Sequence, residues 1–278
     1  MIYVVSDIHG RYDKWQKLLA TINPTWADTI YVLGDTIDRG PEGLKTLLSM
    51  ADMPNVVHLL GNHEFMLMSV LPTLLAQLTD ELVDDLEQSD TAISMLANYM
   101  INGGEATVDE LGRLSTAERN EVRAYILNMR VFEEIEIRDK TYLLVHAGLD
   151  NFEVKKPLEE YDLHDFLWVR PDVRRRYYPD KTVVFGHTPT RTIRQRCGIG
   201  VGAGTGDMCA NSQTDLGIRM GTKSSISIHA ADGDARGTEN ADEDSIIVAP
   251  GMIAIDCGCG HGGPLGCLCL DTMERVYV

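Results

Sequence analysis

The chain has 278 residues, and its 25 basic and 42 acidic side chains give a net charge of −17. This charge argues against sequence-independent nucleic-acid binding and against attraction to an anionic membrane. The length and a hydrophobic content of 44% predict one large α/β domain over residues 1–278. We find no signal peptide and no apolar run of the ~20 residues that span a bilayer, and we therefore expect a cytoplasmic protein.

Short apolar runs alternate with helical patterns in the first ninety residues, and two further runs follow in the second half. The runs predict strands, which we place at residues 3–6, 30–33, 56–60, 142–145 and 182–185. Helices are predicted at residues 11–22 and 41–50, the second with Pro41 near its first turn. Strands that alternate with helices favour an α/β fold.

Two longer segments interrupt this alternation. Residues from about 65 to 130 predict a mostly helical insert with an acidic run at 80–87. This run either roofs a cleft or forms a solvated helix face, and we favour the solvated face. Residues from about 197 to 250 are rich in glycine and predict a long excursion between two strands, with one strand-like run at 224–229.

Each predicted strand leads into a polar motif. In chain order the motifs are Asp7-Ile8-His9, Gly34-Asp35-Thr36-Ile37-Asp38-Arg39-Gly40, Gly61-Asn62-His63-Glu64, His146-Ala147-Gly148 and Gly186-His187-Thr188. Side chains at the carboxyl ends of strands can converge on one crevice. Asp-x-His alone is a weak signal, whereas the two glycine-flanked charged motifs have no ready explanation as packing.

The types of these residues indicate two metal ions. Asp7 and His9 can bind one ion if the backbone turns at Gly10, and the two oxygens of Asp35 can bridge that ion to a second. Three further side chains can complete the second ion's ligands, namely Asn62, His146 and His187. A mixed oxygen and imidazole set without thiolates favours manganese, with iron or zinc as alternatives. Two ions ~3.5–4 Å apart can activate a shared water for phosphoester hydrolysis.

Other residues of the motifs suit phosphate chemistry. His63 follows Asn62, and Asp38 can hold it as a protonated imidazolium that gives a proton to the leaving oxygen. The planar fork of Arg39 matches two phosphate oxygens. Arg170 is the candidate for a second phosphate clamp, although a surface arginine is the alternative.

With these motifs the chain resembles the calcineurin-like metallophosphoesterases and, among them, the phosphoprotein phosphatases with their compact bacterial members. The resemblance covers residues 1 to about 190 and resumes near 252–270. It implies layered mixed β-sheets flanked by helices. It also implies that Asp7, His9 and Asp35 bind the first metal, and that the second is bound by Asp35, Asn62, His146 and His187. His63, Asp38, Arg39 and Arg170 take the catalytic roles given above.

The resemblance leaves the substrate open. The Asn102-Gly103-Gly104 stretch is similar to compact bacterial members, which include both protein phosphatases and dinucleoside-tetraphosphate hydrolases. We expect a serine/threonine protein phosphatase acting on a phosphorylated protein or peptide, with the dinucleotide hydrolase as the alternative. A non-catalytic scaffold is disfavoured because it has no need of a general acid.

Four cysteines near the end of the chain form a separate pattern. A hairpin that turns near Gly263 would place Cys257 opposite Cys269 and Cys259 opposite Cys267. Such pairs could hold zinc or close a disulfide. We favour simple packing, because cysteine is often buried as a small hydrophobe.

Overall fold

The computed structural model describes residues 1–75, 90–199 and 243–278. Within these ranges ten strands form two five-stranded sheets. The first sheet contains β1 (Ile2–Val5), β2 (Thr29–Val32), β3 (Val56–His58), β9 (Gly266–Cys269) and β10 (Arg275–Tyr277) in the order β10-β9-β1-β2-β3. The second contains β4 (Phe132–Ile137), β5 (Lys140–Val145), β6 (Lys181–Phe185), β7 (Ile247–Ala249) and β8 (Met252–Ala254) in the order β4-β5-β6-β8-β7.

Both sheets are mixed. Parallel pairs join β1 to β2 and β2 to β3, and antiparallel pairs join β9 to β1 and β10. In the second sheet β5, β6 and β8 run parallel, while β4 and β7 are antiparallel to their neighbours. The five strands predicted from the sequence are all present, with ends shifted by one or two residues. The prediction of layered mixed sheets is therefore confirmed.

The alternation of side chains along the strands explains why the two sheets stack. Val4, Leu144 and Val184 point to a shared core between the sheets. Their neighbours in sequence point to the outer faces, since successive residues of a strand face opposite sides. Val5 thus packs with Trp15 of α1 (Tyr12–Ile22), and Val183 packs with the helices on the other side. Because both faces are covered, these strands read as continuous apolar runs.

The remaining helices flank these layers. They are α2 (Gly43–Ala51), α3 (Asn62–Leu75), α4 (Asp90–Tyr99), α5 (Glu105–Arg113), α6 (Thr116–Leu127), α7 (Leu163–Leu167) and α8 (Thr190–Cys197), with a π-helical turn at Met100–Gly104. The described part of the predicted insert contains helices, and Leu67 and Val122 from it lie in one apolar cluster with Leu47 of α2. None of the described helices is long and apolar enough to cross a membrane.

Some predictions fall outside the described residues or need correction. The acidic run at 80–87 and the strand-like run at 224–229 lie outside the described ranges. The predicted excursion of residues 197–250 ends too late, because β7 lies inside it. Ile247 and Ala249 are buried there, and β7 pairs with β8.

The predicted cysteine hairpin is wrong. β9 carries Cys267 and Cys269 but pairs with β1 and β10, and Cys259 lies in a 3₁₀ turn (Cys259–His261). Cys257 packs between the sheets, whereas Cys259 and Cys267 pack on the other face of the first sheet. All four thiols are buried and free, as the packing interpretation predicts.

The core between the sheets predicts a stability effect that a matched pair of leucines can test. Leu144→Ala should reduce the free energy of unfolding by about 2–5 kcal/mol, because it leaves a cavity between two packed sheets. Leu127→Ala should change it by less than about 0.5 kcal/mol, since Leu127 is 61% exposed. Urea denaturation followed by circular dichroism measures both, and equal losses would contradict this account of the core.

Candidate active site

The polar motifs meet where loops leave the two sheets, and their backbone is strained. Non-glycine residues rarely adopt positive φ, and such residues often cluster at functional sites. Six motif residues do so, namely Asp7 (53°), His9 (48°), Asp35 (54°), Asp38 (68°), Arg39 (66°) and His187 (62°). Backbone hydrogen bonds hold these loops, such as those from Asp7 N to Gly34 O at 3.1 Å and from His9 N to Asp35 O at 3.0 Å.

The carboxylate of Asp35 lies at the centre of the site. Its Oδ2 is 3.7 Å from His9 Nε2 and 3.9 Å from His63 Nε2, and its Oδ1 is 3.5 Å from His146 Nε2. Among the described residues, two groups of donor atoms each lie within 4.8 Å of one another, and Asp35 belongs to both. The groups are His9, Asp35 and His63, and Asp35, His146 and His187.

Near His146, two hydrogen-bond acceptor atoms face each other. His146 Nδ1 is 2.7 Å from the carbonyl of Leu33, which can only accept, so the neutral ring carries its lone pair on Nε2. This lone pair lies 2.9 Å from Asn62 Oδ1. His187 Nδ1 is also 2.9 Å from that oxygen, and burial together with His146 lowers the pKa of His187 to about 3. A cation between these atoms would satisfy all of them.

Asp7 is buried beside this centre but belongs to neither compact donor group. Its Oδ2 accepts hydrogen bonds from the Ser6 hydroxyl and from His187 N, the latter at 2.9 Å. Burial, and then the charge of Asp35, raise the pKa of Asp7 well above its usual value. Burial also raises the pKa of nearby Asp256, and the charge of Asp7 adds to this effect.

These carboxylates and lone pairs fit divalent cations. Buried negative charges are costly unless they are paired or bind metal. Asp7, Asp35 and Asp256 are at most 4% exposed, and the Nε2 atoms of His9 and His146 lie 3.7 Å and 3.5 Å from the carboxylate of Asp35. Carboxylate, amide and imidazole donors without thiolates suit manganese, iron or zinc. The donor set therefore fits the two metal ions that the sequence predicts.

His63 and Asp38 form a buried pair next to this donor set. His63 Nδ1 is 2.7 Å from Asp38 Oδ2. Burial alone would lower the pKa of His63, but the charges of Asp35 and Asp38 outweigh it and the pKa is raised. Asp38 Oδ1 accepts hydrogen bonds from the Tyr99 hydroxyl at 2.7 Å and from Thr107 Oγ1 at 2.5 Å. Tyr99 and Thr107 come from the insert, and sequence reasoning missed both because no local pattern marks them.

Glu64 has a role that the motif alone did not reveal. Its carboxylate accepts hydrogen bonds from the backbone N–H groups of Asp35 at 2.9 Å, Thr36 at 2.7 Å and Gly61 at 3.1 Å. A Cβ at Gly61 would lie 2.3 Å from Asp35 N, so only glycine permits this close approach. The Gly-Asn-His-Glu sequence thus braces the Asp35 loop while it presents Asn62 and His63.

Arg39 reaches across the site, whereas Arg170 lies at its edge. Arg39 Nη1 is 2.8 Å from His9 Nε2, and its Nη2 is 3.1 Å from His63 Nε2. Arg170 is exposed, and its positive charge contributes to the lowered pKa of His187. The structure therefore brings nine of the ten predicted site residues together, and the tenth, Arg170, is exposed. It also adds His261, whose Nε2 is 3.2 Å from Arg39 Nη1 and which belongs to none of the polar motifs.

Comparison with known proteins finds relatives of two kinds. A symmetrical bis(5'-nucleosyl)-tetraphosphatase from Erwinia tasmaniensis is 33% identical over 118 residues, which are 41% of this chain and 42% of that protein. The chain thus spans less than half of that relative's length. Serine/threonine-protein phosphatase 2 from Salmonella typhimurium is 27% identical over 196 residues, which are 67% of this chain and 78% of that protein.

Structure and family comparisons cover more of the chain. The solved structure of a candidate diadenosine tetraphosphatase has the same fold, with a TM-score of 0.54 and 16% identity over 100% of this chain and 92% of that one. A model of the calcineurin-like phosphoesterases matches residues 1–218, which include every predicted site residue. The chain belongs to the calcineurin-like phosphoesterase family.

Proposed function

We propose that this phosphoesterase is a dimetal-dependent serine/threonine protein phosphatase. The His63–Asp38 pair beside the shared carboxylate of Asp35 carries the proposal, because a carboxylate-held imidazole near a metal site is the arrangement that a general acid needs. His63 Nε2 is 3.9 Å from Asp35 Oδ2, so the acid lies close to the donor atoms of both candidate metal positions.

In this proposal Asp7, His9 and Asp35 hold the first ion. The second is held by Asp35, Asn62, His146 and His187, and manganese suits this set. When bound, the two ions supply an activated water and neutralise phosphate charge. Family membership supports a dimetal centre, and the position of Asp35 in both donor groups supports its role as the bridge.

The chain's own residues perform the remaining steps. Arg39 and Arg170 bind phosphate oxygens and orient the ester, since a guanidinium fork matches two oxygens. His63 gives the proton on Nε2 to the leaving oxygen, while Asp38 holds the Nδ1 side of the ring at 2.7 Å. Tyr99 and Thr107 keep Asp38 in place.

The Salmonella phosphatase supports a protein substrate, because the chain matches 78% of its length. The expected partner is a phosphorylated protein or peptide in the cytoplasm, and the net charge of −17 disfavours nucleic acid and membrane surfaces. The Erwinia relative favours one alternative, a dinucleoside tetraphosphate hydrolase that uses the same centre. A scaffold without activity is disfavoured by the intact His63–Asp38 pair.

The bridging role of Asp35 predicts loss of metal on substitution. Asp35→Asn should lower bound manganese from about two ions per chain to less than one and abolish turnover, because an amide offers one neutral oxygen in place of two charged ones. Elemental analysis after reloading measures this. Asp52→Asn is the control, since Asp52 is exposed at the end of α2. A variant that keeps both ions would refute the bridge.

The general-acid role of His63 predicts losses that depend on the leaving group. His63→Asn should keep both metal ions but lose roughly 10²–10⁴ in kcat on alkyl phosphates such as a phosphothreonine peptide. The loss should be much smaller on nitrophenyl phosphate, whose leaving group needs little protonation. The control is His164→Asn, because His164 is exposed and stacks on Trp168. Equal losses on both substrates would exclude the acid role.

The substrate class is tested by direct competition. Manganese-loaded enzyme should release phosphate from a phosphothreonine peptide with a kcat/KM more than about tenfold above that for diadenosine tetraphosphate, a difference of about 1.4 kcal/mol. Products are resolved by chromatography. Preference for the dinucleotide would replace the main proposal with its alternative, and no turnover of either substrate would favour the scaffold.

A further inference from the structure

His261 lies against the site although it belongs to none of the motifs. It ends the 3₁₀ turn Cys259–His261, which precedes β9. This turn touches the site directly, because a Cβ at Gly260 would lie 2.4 Å from His9 Cδ2. The next residue, His261, brings its Nε2 to 3.2 Å from Arg39 Nη1. The sequence separates these two residues by 222 positions.

Arg39 is surrounded by three imidazoles, and two of them have other roles in the proposed function. His9 Nδ1 is 3.0 Å from the carbonyl of Ile37, so the neutral ring has its single lone pair on Nε2. That lone pair can accept from Arg39 or bind a metal ion, but it cannot do both. His63 carries a proton on Nε2 when it acts as the acid, and this nitrogen then cannot accept from Arg39.

His261 is the third imidazole, and neither role makes use of it. Its ring can therefore accept from Arg39 while His9 holds metal and His63 holds its proton. His261 is exposed at the rim of the site. Desolvation of its ring, and then the charges of Arg39 and His63, lower its pKa, so the ring is neutral at pH 7. A neutral ring with its lone pair on Nε2 is an acceptor for a guanidinium N–H.

We propose that His261 is a positioning residue that holds the guanidinium of Arg39 beside the metal centre and leaves its other N–H groups free for phosphate. This inference rests on the proposed function. The backbone of Arg39 is held separately, since its N–H donates to Gly103 O at 2.9 Å. His261 thus fixes the far end of a side chain whose near end is fixed by the insert.

Two substitutions separate hydrogen bonding from packing. His261→Phe keeps an aromatic ring but removes the acceptor, whereas His261→Gln keeps an acceptor on a chain of similar reach. On manganese-loaded enzyme, His261→Phe should raise both the KM for nitrophenyl phosphate and the inhibition constant of inorganic phosphate about tenfold, the loss of one hydrogen bond to a charged group. His261→Gln should remain within about threefold of the wild type, and manganese content should not change in either variant.

A double-mutant cycle with Arg39→Ala tests whether His261 acts through Arg39. In the Arg39→Ala background, His261→Phe should cause no further loss of phosphate affinity. Equal losses in both backgrounds, a glutamine variant as weak as the phenylalanine variant, or loss of manganese would each overturn the inference. If Arg39→Ala alone leaves phosphate affinity and turnover unchanged, the role of Arg39 in the proposed function fails as well.

Discussion

The buried carboxylate of Asp35 is the constraint on which the rest of the site depends. It is 2% exposed and follows β2 of the first sheet, yet it lies 3.5 Å from His146, which follows β5 of the second sheet. Burial would raise the pKa of Asp35, but His146, His63 and His9 outweigh it and lower the pKa. The two sheets thus stack so that imidazoles following strands of both of them lie near the same carboxylate.

The loops that bring Asp7 and Asp35 to this site have strained backbones. A residue with positive φ costs of order 1–3 kcal/mol when it is not glycine, and it persists only where its surroundings determine it. Here the loop of Asp35 is held by Glu64 through backbone N–H groups, and the loop of Asp7 is held by Gly34 O and His187 N. The layers of apolar strands beneath supply the rigidity. The packed strands and these hydrogen bonds thus hold the strained residues in place.

The sequence predicts those parts of the site that are local in the chain. Each predicted ligand follows a strand within a few residues, so strand prediction and motif order were enough to bring Asp35 and His146 together. Tyr99, Thr107 and His261 could not be found this way, because each reaches the site from an element that carries no motif. The cysteine hairpin failed for a related reason. The spacing of the cysteines shows where a strand can form but not which strand it pairs with. β9 pairs with β1, and its side chains are buried on both faces of the sheet.

The helical insert contacts two of the proposed catalytic residues directly. Tyr99 and Thr107 lie on either side of the π-helical turn at Met100–Gly104, and both donate to Asp38 Oδ1. Gly103 in the same turn accepts from Arg39 N and has a φ of 99°. The turn therefore holds the backbone of Arg39, and the helices on its two sides hold Asp38, the partner of the proposed acid. The proposed acid and the proposed clamp thus depend on contacts from the same short stretch of the insert.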